Sequence, residues 1–393
     1  MFILIAVAYR SAGGRCCHCQ HSQLETQELR SLTPGLILNM SVAQIPLTMK
    51  ALITQANNTA TVEVISVPTI ADDEVLVRTA AVALNPIDWK FIDFFNHPGT
   101  IIGVDFAGKI VKVGKNVTDV AVGDNVASFV HGGIKSDRGA FAQYVKAADE
   151  LVWKIPDGSI TFEEAATLNC GFWTGVQSLF HPKRLGLVEP PKKVSGEEWV
   201  FINGGSSSLG LYGVNLAHLA GYKVVSVASP KNIELVKSYG ADAVFDYNDL
   251  DIIKKIKEVS KDSIHNVYDT ISSESSQILS VQVLAPGPGK VLVVGVLDET
   301  DKLRKDVQII HTLLFTALGS NFYHLGNEFY PASSEDRAQV AQFVKKMPEL
   351  VKNKLVKPNP VKSFAGGLAG IPEALQYLKE GKNSGEKVVL RVD

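Results

Sequence analysis

Between Met49 and Trp153, apolar and polar residues alternate in short bursts cut by Gly, Pro and Asp. Residues 51–54, 61–64, 74–83, 108–114 and 123–129 each read as a strand. Many short strands separated by turn residues predict a β-barrel-type domain. The pattern changes near Ser159, where Thr161 followed three residues on by Glu164 is a capping-box opening for a helix. After a Pro- and Lys-rich loop at 190–196, strands and helices alternate. Strands are predicted at 199–202, 223–228, 243–245, 267–269 and 290–295, and the apolar run 313–318 is predicted as one more. Helices are predicted at 211–220, 233–239 and 251–260. This alternation predicts an α/β, doubly wound parallel sheet with helices on both faces. The tail carries a long helical pattern at 334–352, another at 371–380 and a final strand at 387–392.

Composition narrows the class. A chain of 393 residues is expected to divide into domains, and 46% hydrophobic with 20% charged residues is a globular profile. The net charge of -2 carries no basic run, which argues against a nucleic-acid partner. No stretch reaches the roughly 20 apolar residues that a membrane helix needs. Four cysteines make no disulfide framework, so the cytoplasm is the expected compartment. Cys16, Cys17, His18 and Cys19 are metal-ligand types, but their spacing leaves no loop to shape a tetrahedron. Residues 1–48 are expected to be a flexible or non-native extension, with Met40 or Met49 as alternative starts.

The strand at 199–202 runs into Gly204-Gly205-Ser206-Ser207-Ser208-Leu209-Gly210 at the start of a helix. Glycines let backbone approach a diphosphate, and the first helical N–H groups point at it. A Gly-rich turn alone is as often an ordinary loop, but about 20 residues later the next strand ends at Ser229-Pro230-Lys231, where dinucleotide folds read the ribose. No carboxylate stands there to hold ribose hydroxyls, and Ser229 and Lys231 would suit a 2′-phosphate, so NADPH is expected over NADH.

Several segments then carry a resemblance. They are Ala83-Leu-Asn85-Pro86-Ile-Asp88-Trp-Lys90, Gly103-Val-Asp-Phe-Ala-Gly108, Val122-Gly-Asp-Asn-Val126, Gly139-Ala-Phe-Ala-Gln-Tyr144, Gly240-Ala-Asp242, Phe245-Asp-Tyr247 and Gly381-Lys-Asn-Ser-Gly-Glu-Lys387. Over about 49–393 the chain resembles the medium-chain dehydrogenase/reductase superfamily. Within it, the likeness is to the fungal zinc-lacking branch of ToxD-like and trans-acting enoyl reductases. The resemblance implies a GroES-like catalytic domain at 49–170, a Rossmann domain at 171–320 and a segment at 321–393 returning to the first. It also implies cofactor contacts at Asn85, Asp88, Asn232, Tyr247, Gly295, Val296 and Lys387. Zinc-dependent members carry Cys where this chain has Asn85 and a His-Glu pair where it has Val104-Asp105, so no metal is expected. Two departures stand out: Ser207 replaces a glycine usual in the quinone-reductase branch, and the extension before Met49 has no counterpart.

Without a Lewis acid, reduction of an activated acceptor is expected: an enone, enoyl thioester, quinone or aldehyde. Lys90 is the candidate donor to the enolate or to the cofactor ribose, with a surface lysine as the equal alternative. Thr174 resembles a substrate-side Thr of the enoyl reductases, with helix packing as its alternative. Asn85 and Asp88 are expected to shape their loop, and Cys170 to be a core thiol lacking a His-and-acid set. The partners implied are an unsaturated carbonyl or aldehyde substrate and, in a rival reading, a polyketide synthase. A third reading, a nucleotide-binding protein without activity, would want a basic patch. Monomer and homodimer both remain open.

Overall fold

The computed structural model describes residues 44–95, 97–295, 304–324 and 328–392. The Cys16-Cys17-His18-Cys19 cluster and Val296 lie outside them. Six parallel strands form one sheet, in the spatial order Ala243–Asp246, Lys223–Ala228, Trp199–Asn203, Asn266–Asp269, Gly289–Val293, Val307–His311. The central strand Trp199–Asn203 is buried throughout because both faces are covered. Successive side chains of Trp199–Asn203 enter different cores. Trp199 and Phe201 pack with Ile256 and Val281, while Val200 and Ile202 join Val214 and Tyr268 on the other side. The strand order reverses between Trp199–Asn203 and Asn266–Asp269, which opens a crevice at their carboxyl ends.

The second half is a seven-stranded sheet in the order Val361–Phe364, Lys387–Arg391, Glu74–Ala83, Asp105–Val113, Asn125–Phe129, Trp153–Lys154, with Tyr144–Ala148 also paired to Glu74–Ala83. Register shifts in the pairing of Glu74–Ala83 with Asp105–Val113 mark a bulged, bending sheet. Gly108 allows the closest approach: a Cβ there would stand 2.1 Å from the Arg78 carbonyl oxygen. The fold is thus α/β, a bent, mostly antiparallel sheet with a Rossmann-type parallel sheet. Between the sheets, Thr161 caps the helix Phe162–Thr167: Glu164 N donates to Thr161 Oγ1 at 3.2 Å, and Thr161 N donates to Glu164 Oε2 at 2.8 Å. The helix Cys170–Phe180 follows, buried along nearly all its length.

Several elements differ from expectation. The run at 313–318 is not a strand but a 3-10 helix, Leu314–Leu318, and Val307–His311 takes the edge of the sheet instead. A short continuous apolar run has no period to tell helix from strand, and the strand Val307–His311 does not alternate apolar with polar residues. The long pattern at 334–352 is two helices, Ser334–Val344 and Met347–Lys352, because Pro348 lacks an N–H and crowds the preceding turn. The loop expected around Asn85 and Asp88 includes a short helix, Pro86–Lys90. Asn85 N donates to Asp88 Oδ2 at 2.7 Å, so these two residues do shape the segment.

Candidate active site

Three strand ends converge to build one polar cluster. Ala83 pairs with Asp105 on one side and with Val389 on the other. Continuing the second register by two residues brings Lys387 opposite Asn85. The Lys387 ammonium donates to Asn85 Oδ1 and lies 3.3 Å from Asp105 Oδ2. Asp105 also accepts from Asn85 Nδ2 at 2.8 Å and from the Cys170 backbone N–H at 2.7 Å. Asp105, Asp88 and Lys387 are 0%, 1% and 3% exposed. Burial raises the Asp105 carboxyl above its usual range, while Lys387 and the Asn85 and Cys170 donors pull it back. Burial likewise pushes Asp88 up to about 8; its bond from Asn85 N opposes this and the Asp105 charge adds to it. The Cys170 thiol is pushed well above its ordinary value by burial and by Asp105, which makes it a poor nucleophile.

The Gly204–Gly210 turn is tight and closely packed. Gly204 sits at φ +78°, a conformation that suits glycine. A Cβ on Gly205 would meet Ser226 Oγ at 2.1 Å, and one on Gly210 would meet the Gly204 carbonyl oxygen at 2.1 Å. The helix begins at Ser208, three residues before the expected Leu211. The three serines have separate tasks. Ser207 Oγ accepts the Gly210 N–H at 2.9 Å and bonds Thr270 Oγ1 at 2.8 Å, so it caps the helix and ties the turn to the next strand. Ser208 Oγ accepts from Asn359 Nδ2 at 2.6 Å. Ser206 lines the crevice.

Two cavities meet at this turn. One, about 670 Å³, is lined by Gly204, Ser206, Ser229, Asn232, Tyr247 and Ser384, among others. The second, about 490 Å³, is lined by Lys90, Thr174, Asn85, Lys387, Leu209 and Gly295, with an apolar wall that includes Leu84, Leu314 and Phe315. Ser207, Ser208, Ile271, Asn383 and Glu386 line both, so the two form a continuous groove. Asp88, Gly205, Gly210 and Lys231 line neither. Asp88 lies buried behind the second cavity, and Lys231 is exposed on the turn Pro230–Asn232. Lys90 Nζ lies 5.8 Å from the centre of the Trp89 ring, and Thr174 Oγ1 donates to the Cys170 carbonyl at 2.7 Å.

Sequence reading passed over the wall at 312–315, held by a buried network. Arg184 Nε donates to Thr312 Oγ1 at 2.9 Å, Thr312 Oγ1 donates to Gln177 Oε1 at 2.6 Å, and Asp336 accepts from Thr316. His181 Nε2 lies 3.1 Å from Asp336 Oδ1. No spacing in the sequence announces these residues, which come from three separate elements. Among the described residues no group of three or more His, Cys, Asp or Glu side chains converges as a metal site. No described helix is long and apolar enough to cross a membrane.

Residues 71–157 match the alcohol dehydrogenase GroES-like domain family and residues 208–342 the zinc-binding dehydrogenase family. The chain is similar to a trans-enoyl reductase of Alternaria alternata, 38% identical over 88% of this chain and 100% of the relative. It is also similar to a zinc-type alcohol dehydrogenase-like protein of Schizosaccharomyces pombe, 35% identical over 88% of this chain and 100% of that one. The fold matches the crystal structure of an alcohol dehydrogenase superfamily protein from Novosphingobium aromaticivorans at a TM-score of 0.71 and 22% identity, over 88% of this chain and 100% of that one.

Proposed function

The chain belongs to the medium-chain dehydrogenase/reductase superfamily, in its trans-acting enoyl reductase branch, and from that premise we propose that it is an NADPH-dependent reductase of an activated double bond or carbonyl that works without zinc. That it is an oxidoreductase using a nicotinamide cofactor follows from the family. The observation that carries the finer reading is the continuous groove from Tyr247 and Ser229 to the apolar chamber around Lys90 and Thr174.

The residues present fit a dinucleotide. Gly204 and Ser206, with the N-terminus of the helix Ser208–Leu219, would hold the diphosphate. Ser229, Asn232 and Tyr247 would hold the adenosine end, with the Lys231 charge close to a 2′-phosphate. Leu209, Gly295 and Asn85 would face the reactive end. The bound nicotinamide supplies the hydride. Lys90 would then furnish a proton to the reduced acceptor or bond the ribose, and Thr174 would orient the acceptor. The apolar wall excludes water, which strengthens each polar contact inside.

The residues do not fit zinc. Asn85 stands where zinc-dependent relatives have a cysteine, and its amide oxygen already engages an ammonium. Val104 is wholly buried and offers no ligand atom, and Asp105 is committed to three donors. The whole-length likeness to trans-enoyl reductases supports an acceptor presented by a polyketide synthase.

The test is NADPH consumption against a panel of enoyl thioesters, enones, quinones and aldehydes. Turnover of an unsaturated carbonyl or aldehyde is expected. Cofactor binding with no turnover of any acceptor would favour a nucleotide-binding protein without activity.

A further inference from the structure

Lys387 is a buried charge in the wall of the second cavity. Its side chain is 4% exposed, yet it lines the chamber where Lys90, Thr174 and the apolar wall meet. An ammonium has three N–H donors. Asn85 Oδ1 and Asp105 Oδ2 take two of them, and the side chain lines the cavity. Its neighbours there include Leu84, Leu314, Phe315 and Val388, a setting of low polarity where a fixed cation acts strongly on a nearby oxygen. Its seat touches Asn85, the residue that replaces a metal-binding cysteine of zinc-dependent relatives.

We propose that Lys387 forms an oxyanion subsite: its ammonium hydrogen-bonds the carbonyl oxygen of the acceptor and holds the negative charge that gathers there. The inference rests on the reductase reading. When hydride adds to the β-carbon, the double-bond electrons shift toward the carbonyl and its oxygen becomes an enolate oxygen. Lys387 donates a hydrogen bond to that oxygen and keeps its proton, because losing it would strand the buried Asp105 charge. The proton for the α-carbon comes from another donor, a task that suits the less buried Lys90.

The decisive variant pairs Lys387→Met with Asp105→Asn, so that both charges leave together. Butyrate, whose carboxylate imitates the enolate oxygen, is the probe. Calorimetry on the cofactor-loaded protein should show butyrate bound by the wild type and weakened about tenfold or more in the double variant, a larger loss than that of NADPH affinity. With an enoyl thioester, kcat should fall about 100-fold or more. Equal butyrate binding in both proteins, or none in the wild type, overturns the subsite. So does a loss confined to NADPH affinity, which would make Lys387 a cofactor contact. Should the double variant fail to fold, Lys387→Arg keeps the charge and should retain most butyrate affinity, and complete loss overturns the proposal. A wild type that turns over no acceptor refutes the reductase reading, while the butyrate measurement still decides the subsite.

Discussion

Asn232 Nδ2 donates to Ser384 Oγ at 3.0 Å, across 152 residues of sequence, and also to Ser229 Oγ at 3.2 Å. One buried amide thus joins the end of a Rossmann strand to the loop that leads into Lys387–Arg391. Gly385 makes this possible: at φ +66°, its Cα lies so near Asn232 that a Cβ would be 3.1 Å from Asn232 Oδ1. Asn232→Ala removes both bonds and loosens this wall of the groove, so the Kd for NADPH should rise about tenfold, about 1.4 kcal/mol, with kcat little changed. Fluorescence titration checks this, and an unaltered Kd would remove Asn232 from the cofactor groove.

Asp88 makes stability depend on pH. Its pKa is raised from 3.8 to about 8, chiefly by burial. Between those values the folded protein holds a proton that the unfolded chain releases, so the contribution of Asp88 to stability is full below about pH 4 and is lost as pH rises toward 8, by up to about 1.4 kcal/mol per unit. Asp88→Asn keeps the shape and removes the titration. Denaturant melts at pH 5 and 8 should show a smaller loss in the variant; parallel losses would contradict the assignment to Asp88.

Lys231 stands exposed beside Ser229 on a turn without a carboxylate. Lys231→Glu should weaken NADPH at least about tenfold while changing NADH little, since only NADPH carries a phosphate for that charge to meet. Paired Kd measurements decide it, and an equal effect on both would end the NADPH assignment.

Gly205→Ala should cost about 1–3 kcal/mol by overpacking, because the new Cβ would lie 2.1 Å from Ser226 Oγ and 2.9 Å from Val236 Cγ1. Adding Ser226→Ala removes the nearer atom and should restore part of the lost Tm. If the single variant melts like the wild type, the turn is looser than this packing implies.

Metal analysis of purified protein should find far less than one zinc per chain. Among the described residues, no three His, Cys, Asp or Glu side chains converge around Asn85 as catalytic zinc would need. Stoichiometric zinc bound there would contradict this.

The two sheets and the Gly204–Gly210 turn were legible in the sequence, because each depends on local signals. Alternation of period two marks strands, glycines mark a sharp turn, and a strand followed at once by a helix marks an anion site. Asn85 and Asp88 were legible as a loop-shaping pair, since a capping bond spans three residues. What sequence alone did not determine was which of the many charges would meet. Lys387 and Asn85 are 302 residues apart, and Thr312 and Gln177 are 135 apart. Their contacts arise only when antiparallel register and helix packing bring distant segments together. Burial then turns those neighbours into a site, because charges and hydroxyls withdrawn from water interact far more strongly than the same groups exposed along a chain.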